Sequence, residues 1–366
     1  MLRIGGSPLP VVGRARMYVC GITPYETTHL GHAATFVWAD VAARVLRHLG
    51  VEVEVCRNVT DVDDVLDAAA ARAGSRPDSF AAVQQFRFDR DMSALGVRRP
   101  THEPRAHTHV GQVVTLAAAL LEGGAAYLRD GTVWFRGSGV PARAGLDTAA
   151  AAALAAEFGQ VADPAAEHPA DVPVWRPAVA GEAAWPSPWG DGRPGWHAEC
   201  AAMALTTLGP ALDLHVGGAD LRFPHHAYES AMAEAVTAVT PFARSWMHVG
   251  TVRVGGVKMA KSTGNLVLVS DVLEVCPAPA LRLLLLDRPW AQPWDYDAAS
   301  PAAATARLER LYAAAARGVG EDAPSAATDA VTAALLADLD VPAALDVAEE
   351  AGGPAARLLL SVLNLT

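Results

Sequence analysis

Arg16-Met17-Tyr18-Val19-Cys20-Gly21-Ile22-Thr23-Pro24-Tyr25 leads into Thr28-His29-Leu30-Gly31-His32, and together they predict a strand that feeds a helix through a short turn. The helix is expected to run to about Gly50, because Val37, Val41, Val45 and Leu46 recur on one apolar face. Val51-Glu52-Val53-Glu54-Val55 then alternates as a second strand should, and Asn58-Val59-Thr60 ends it. A strand, a crossover helix and a second strand make one unit of an open α/β sheet, whose ligands sit at the strand ends. The acidic run Asp61, Asp63 and Asp64 that follows reads as helix-start carboxylates, not as a magnesium site.

Far along the chain, Lys258-Met259-Ala260-Lys261-Ser262 lies in an expected loop after Val252-Arg253-Val254. Read alone, His29 and His32 are a capping pair and Lys258 and Lys261 a solvated pair. Read as chemistry, imidazole N–H donors at a helix N-terminus suit an anion. Two lysines on a closing loop supply positive charge to a leaving phosphate.

The 366 residues suffice for two or three domains with substantial cores. Hydrophobic content of 51% with 19% charged residues describes a globular protein with no membrane role, and no apolar run approaches spanning length. Net charge is −11, an awkward balance for holding a polyanion. The N-terminus lacks a signal-peptide core, and Cys20, Cys56, Cys200 and Cys276 are spaced as reduced thiols or metal ligands; a cytoplasmic location is expected.

Further along, 80–95 and 110–121 look helical. From 128 to 193 the texture changes to an Ala-rich helix followed by many Pro, Trp and Gly residues. Helical texture resumes at 197–208, Leu212-Asp213-Leu214-His215-Val216 reads as a strand closed by Gly217-Gly218-Ala219-Asp220, and a helix begins near Pro224. After Asp271 the chain is helical and rich in Ala and Leu. His225 and Glu229 stand at i, i+4 and share a helix face. By itself that pair is an ordinary surface contact.

In this order the two motifs resemble the HIGH and KMSKS signatures of class I aminoacyl-tRNA synthetases. Cys20-Gly21-Ile22-Thr23-Pro24-Tyr25, Gly195-Trp196-His197-Ala198-Glu199-Cys200 and Phe223-Pro224-His225-His226 narrow the likeness to the family of cysteinyl-tRNA synthetase and mycothiol ligase, which joins cysteine to glucosaminyl-inositol. The resemblance covers roughly residues 15–300. It implies a class I synthetase-like α/β Rossmann fold: residues 1–127 as its first half, 128–193 a connective insertion, 194–270 the second half, and 271–366 a helical C-terminal domain without an anticodon-binding extension.

The same resemblance implies ATP, with Mg²⁺ escorting it, and L-cysteine as substrates. Catalytic roles fall to His29, His32, Lys258 and Lys261. One Zn²⁺ is expected on Cys20, Cys200, His225 and, as in the synthetase, Glu229. The cysteinyl-adenylate pocket is expected from Cys20, Gly21, Ile22, Thr23, Thr35, Asn58, Val59, Thr60, Trp196, Gly218, Ala219, Asp220 and Val252. Trp196 read as plain core and Asp220 read as a turn residue stay open. A zinc ion also makes physical sense, since shape alone separates cysteine from serine weakly while soft thiolate coordination does so sharply.

Ile22-Thr23-Pro24-Tyr25 and the Ala33-Ala34-Thr35 that follows the His motif are similar to the mycothiol ligase branch. Glu229 departs from that branch toward the synthetase, and Glu157-Phe158-Gly159-Gln160-Val161-Ala162-Asp163-Pro164 is a degenerate form of the ligase's Glu-Arg-Gly-Gly-Asp-Pro stretch. The expected acceptor is a small amine, most simply glucosaminyl-inositol, with tRNA not expected. The alternatives are a paralogue that gives cysteine to another acceptor (a natural-product amine, a carrier protein or tRNA) and an inactive nucleotide-binding paralogue. An NAD-binding Rossmann protein is disfavoured, because no Gly-x-Gly-x-x-Gly loop follows the first strand.

Overall fold

The structure, a computed structural model, describes residues 1–25, 27–260, 263–317 and 324–366. Its centre is a four-stranded parallel sheet with the spatial order Ala243–Val249, Leu212–Gly218, Arg14–Ile22, Glu52–Val59. The first strand of this sheet in chain order therefore lies between its second and third. The chain runs from Arg14–Ile22 to one edge and from Leu212–Gly218 to the other, which opens a crevice beyond the C-terminal ends of these two strands.

The crossover helix Leu30–His48 buries Leu30, Ala33, Val37, Val41 and Val45 in the main core. The acidic run opens the helix Asp64–Arg72, where the Asp63 carboxylate accepts hydrogen bonds from Val65 N (2.7 Å) and Leu66 N (3.3 Å), as a helix cap does. The helices Pro77–Ala94, Val110–Glu122, Trp196–Leu208 and His225–Thr237 complete the layers around the sheet.

Between the second and third parallel strands lies a separate antiparallel sheet, with order Ala126–Arg129, Thr132–Phe135, Val172–Pro177, Gly192–Pro194. The Ala-rich helix is present at Thr148–Ala156, but the sheet around it is an addition to what composition suggested. Its first turn, Asp130-Gly131, has φ of +51° and +77°, the left-handed pair that a two-residue hairpin requires.

Two further differences concern the late chain. Ala243–Val249 is a parallel edge strand that the sequence texture did not announce. Lys258 is not in a loop: it ends the short strand Val257–Lys258, which pairs with Val252–Val254, itself beside Trp294–Asp295. Beyond that the chain is helical: Val269–Val275, Ala278–Leu286, Ser300–Ala316, Pro324–Leu336, Val341–Ala351 and Gly353–Leu363. These helices share the main core with Leu30–His48. Arg282, 1% exposed, joins the two: its guanidinium donates to Asp40 Oδ2 at 2.5 Å, Leu363 O at 2.6 Å and Leu95 O at 3.0 Å. No helix among the described residues is long and apolar enough to cross a membrane.

Candidate active site

A cavity of about 630 Å³ opens at the crevice between the first and third parallel strands. Its floor is the end of Arg14–Ile22. Gly21 is needed there because a Cβ would fall 1.6 Å from the carbonyl oxygen of Asn58. Asn58 holds that approach: Gly21 N donates to its Oδ1 at 2.8 Å, and its Nδ2 reaches Thr60 Oγ1 at 3.1 Å and Cys200 Sγ at 3.4 Å. One buried amide thus fixes the ends of two strands and touches a thiol.

On one side the His motif opens the helix Leu30–His48. His29 is the cap residue: its Nδ1 accepts from Gly31 N at 3.1 Å, and its ring stacks on His32 with centroids 3.8 Å apart. Burial lowers both imidazoles, His29 to about 2 with help from its neighbour His32, and His32 to about 4. Both rings are therefore neutral near pH 7 and act as donors, not as fixed charges. Opposite them, Lys258 Nζ lies 2.8 Å from Asp220 Oδ2. Lys261 falls outside the described residues.

Deeper in the cavity three donors converge. Cys20 lies near the end of its strand, while Cys200 and His225 come from the helices Trp196–Leu208 and His225–Thr237; their ligand atoms all lie within 4.8 Å of one another, and all three are buried. Glu229, one turn beyond His225, approaches Cys20 Sγ at 3.8 Å, but both its oxygens lie 3.1 Å from His215 Nε2. It thereby joins a second compact group, Cys20, His215, His226 and Glu229. The sequence reading missed His215 and His226, although both are histidines beside motif residues.

Electrostatics separate the two thiols. The hydrogen bond from Cys20 holds the Cys200 thiol well below its ordinary range, with His225 assisting, whereas burial pushes Cys20 well up. Burial also pushes Glu229 up, while burial at His225 is outweighed by the Cys200 thiolate, so that imidazole is raised. A buried thiolate, a second thiol and an imidazole, with a carboxylate 3.8 Å from that second thiol, form a soft donor set of the type that holds zinc.

Of the other expected pocket residues, Ile22, Thr23, Thr35, Thr60, Gly218 and Val252 line the cavity. Trp196 does so as well, and stacks on His225 at 4.3 Å. Val59 is 1% exposed within its strand, and Ala219 lies on the short turn Ala219–Arg222; neither is on the wall. Sequence reasoning did not place Tyr25, Val65, Arg72, Glu157 or Phe158 there, yet all five line the mouth.

The family model and the curated relatives agree on the family. The family model described as tRNA synthetases class I (C) catalytic domain matches residues 10–306. A cysteine–tRNA ligase of Alkalilimnicola ehrlichii is 45% identical over 307 residues, covering 82% of this chain and 65% of that protein. One of Rhodospirillum centenum is 41% identical over 330 residues, covering 90% and 72%. The chain thus spans about two thirds of the length of the curated relatives it matches. Among solved structures, Mycobacterium tuberculosis methionyl-tRNA synthetase with methionyl-adenylate aligns with TM-score 0.66 at 16% identity, over 97% of this chain and 90% of that one. A leucyl-tRNA synthetase ternary complex from Agrobacterium radiobacter K84 aligns with TM-score 0.67 at 12% identity, over 99% and 84%. At these identities the structures speak for the fold alone, a class I synthetase-like α/β fold.

Proposed function

The chain belongs to the family of class I (C) tRNA synthetase catalytic domains, and from that premise we propose that it is an ATP-dependent, AMP-forming cysteine ligase. The observation that carries this reading is the buried group of Cys20, Cys200 and His225 at the base of the cavity that His29, His32 and Lys258 also line. A metal-binding thiolate set would serve amino-acid selection there, while the His and Lys residues serve the phosphates.

The first half-reaction joins the cysteine carboxylate to the α-phosphorus of ATP and expels pyrophosphate. His29 and His32, neutral and at a helix N-terminus, donate to the phosphate oxygens as charge builds. Lys258 leaves Asp220 and follows the departing phosphates, with Lys261 in the same role. Asp220 then takes the substrate ammonium or the ribose hydroxyls. Cys20, Cys200 and His225 would hold a Zn²⁺, with Glu229 as fourth ligand, and the ion would supply the soft coordination that prefers a thiol to a hydroxyl. In the second half-reaction an acceptor nucleophile attacks the acyl carbon and AMP leaves.

For the acceptor, the reading is a small amine, glucosaminyl-inositol first. It is supported by the likeness of Ile22-Thr23-Pro24-Tyr25 to the mycothiol ligase branch and by the net charge of −11. A second reading, tRNA, is favoured by the names of the relatives, both cysteine–tRNA ligases. Incubating the enzyme with cysteine, ATP, Mg²⁺ and either acceptor separates them. A cysteinyl amide supports the first, cysteinyl-tRNA the second, and AMP formation with neither product sends the search to another nucleophile.

A further inference from the structure

The helix His225–Thr237 gives the donor group an imidazole whose two nitrogens have different tasks. Nδ1 of His225 lies 2.9 Å from Nδ1 of His197, so Nε2 is the atom it offers to a metal shared with Cys20 and Cys200. His197 is 2% exposed and has no carboxylate partner among the described residues, so it is neutral and carries one proton. Its own Nε2 meets the side-chain amide of Gln160, with the nitrogen at 2.8 Å and the oxygen at 3.2 Å. Three side chains thus form a row, from Gln160 through His197 to His225, that ends on the donor group.

Gln160 comes from the insertion, and the local sequence explains its arrival. The helix Thr148–Ala156 ends in paired bonds: Gly159 N to Ala156 O at 3.0 Å and Gln160 N to Ala155 O at 3.1 Å, with Gly159 at φ +72°. These are the bonds of a Schellman stop, and the left-handed residue favours glycine. Phe158 packs on Trp196 with centroids 5.6 Å apart, and Trp196 stacks on His225. The stop is thereby seated against the helix Trp196–Leu208, which also carries His197.

A metal takes the lone pair of a neutral imidazole, so His225 must carry its proton on Nδ1 when Nε2 is the ligand. That proton points at His197 Nδ1, which must accept it and hold its own proton on Nε2. The amide must then meet the Nε2–H with its oxygen. In the opposite arrangement the amide nitrogen donates to His197 Nε2, and His197 Nδ1–H donates to His225 Nδ1. The His225 proton then sits on Nε2 and blocks the metal. Both ends of the amide lie within reach of the ring, and a half-turn about the last side-chain bond exchanges them. Resting on the metal-assisted cysteine activation proposed above, we infer that Gln160 is a positioning residue: its amide oxygen, acting through His197, fixes the His225 tautomer that leaves Nε2 free for a soft divalent ion.

The test uses the full chain with Gln160→Met, which keeps the shape and removes the acceptor, and Gln160→Glu, whose carboxylate can only accept. Gln160 is half-buried, so both variants keep the fold. The Zn²⁺ dissociation constant is measured by competition with a chromophoric chelator. It is expected to rise about tenfold in Gln160→Met and to stay at or below the parental value in Gln160→Glu. In a His197→Phe background the Gln160→Met change should no longer matter, because the relay is already cut. Parental affinity in Gln160→Met overturns the relay, as does an equal loss in both variants. A Gln160→Met effect that persists in the His197→Phe background overturns it too, since the amide would then act by another route. In each of these cases the metal reading itself stands. A parent that binds no Zn²⁺ removes that reading, and the relay with it.

Discussion

Lys258 Nζ and Asp220 Oδ2, 2.8 Å apart, tie the motif strand to the turn that follows Leu212–Gly218 across the cavity. The pair is part-exposed at 41% and 30%, so water and salt weaken it. Breaking it changes stability by less than about 1 kcal/mol. Both partners face the site, so the effect on activity is large. Asp220→Asn is expected to lower kcat/KM for cysteine-dependent pyrophosphate exchange by about tenfold or more, with the urea midpoint nearly unmoved. An unaffected exchange rate would make Asp220 a plain turn residue.

The two compact donor groups share Cys20 and differ in everything else. Two sulfur donors and an imidazole outrank a set with one sulfur donor for a soft divalent ion. Cys200→Ala is therefore expected to strip the metal from purified protein, as read by elemental analysis, while His215→Asn keeps it. The reverse pattern would place the ion on the group of Cys20, His215, His226 and Glu229.

Arg282 and Asp40 are exposed 1% and 6%, and the arginine also satisfies two backbone carbonyls. Removing the guanidinium leaves Asp40 with Arg44 at 2.7 Å as its remaining ion-pair partner. Arg282→Ala should destabilise the chain by about 3 kcal/mol or more in urea unfolding, because a buried carboxylate loses one of its two ion-pair partners, two buried backbone carbonyls lose their donor, and the Leu363 end of the C-terminal helices loses its tie. A shift below about 1 kcal/mol would show that these helices dock without it.

Acid should weaken the fold through the His motif. Burial holds His32 near 4, below the ordinary 6.5 of an unfolded chain. Between those two values the unfolded state binds the extra proton, so stability is full above pH 6.5 and falls as pH drops toward 4. One histidine contributes up to about 1.4 kcal/mol per pH unit in that window. In His32→Asn the loss of stability between pH 7 and 5 should be smaller than in the parent; equal losses would mean that His32 is not held neutral by its surroundings.

The parts of the fold legible in the sequence were those in which periodicity and punctuation agree. The alternation at Val51–Val55 and the apolar face of Val37, Val41 and Val45 announced the strand and helix found there, and Asp63 caps the helix that its acidic run foretold. The antiparallel sheet was harder, because its strands are short and proline-rich. Its one clear signal was Asp130-Gly131, a two-residue hairpin turn between Leu128 and Trp134. Ala243–Val249 buries alternate residues, Ala243, Ser245, Met247 and Val249, but small and polar side chains at two of them hid the pattern. In the site, Cys20, Cys200 and His225 were readable from family motifs. Glu157 and Phe158 were not, since only the folded insertion brings them to a mouth formed by residues from distant parts of the chain.

Cysteine-dependent ATP–pyrophosphate exchange, run beside serine at equal concentration, tests the central claim most directly. A cysteine ligase built on this thiolate-lined cavity should exchange with cysteine and at least about a hundredfold more slowly with serine. Equal exchange with the two amino acids, or none with cysteine, would contradict the account.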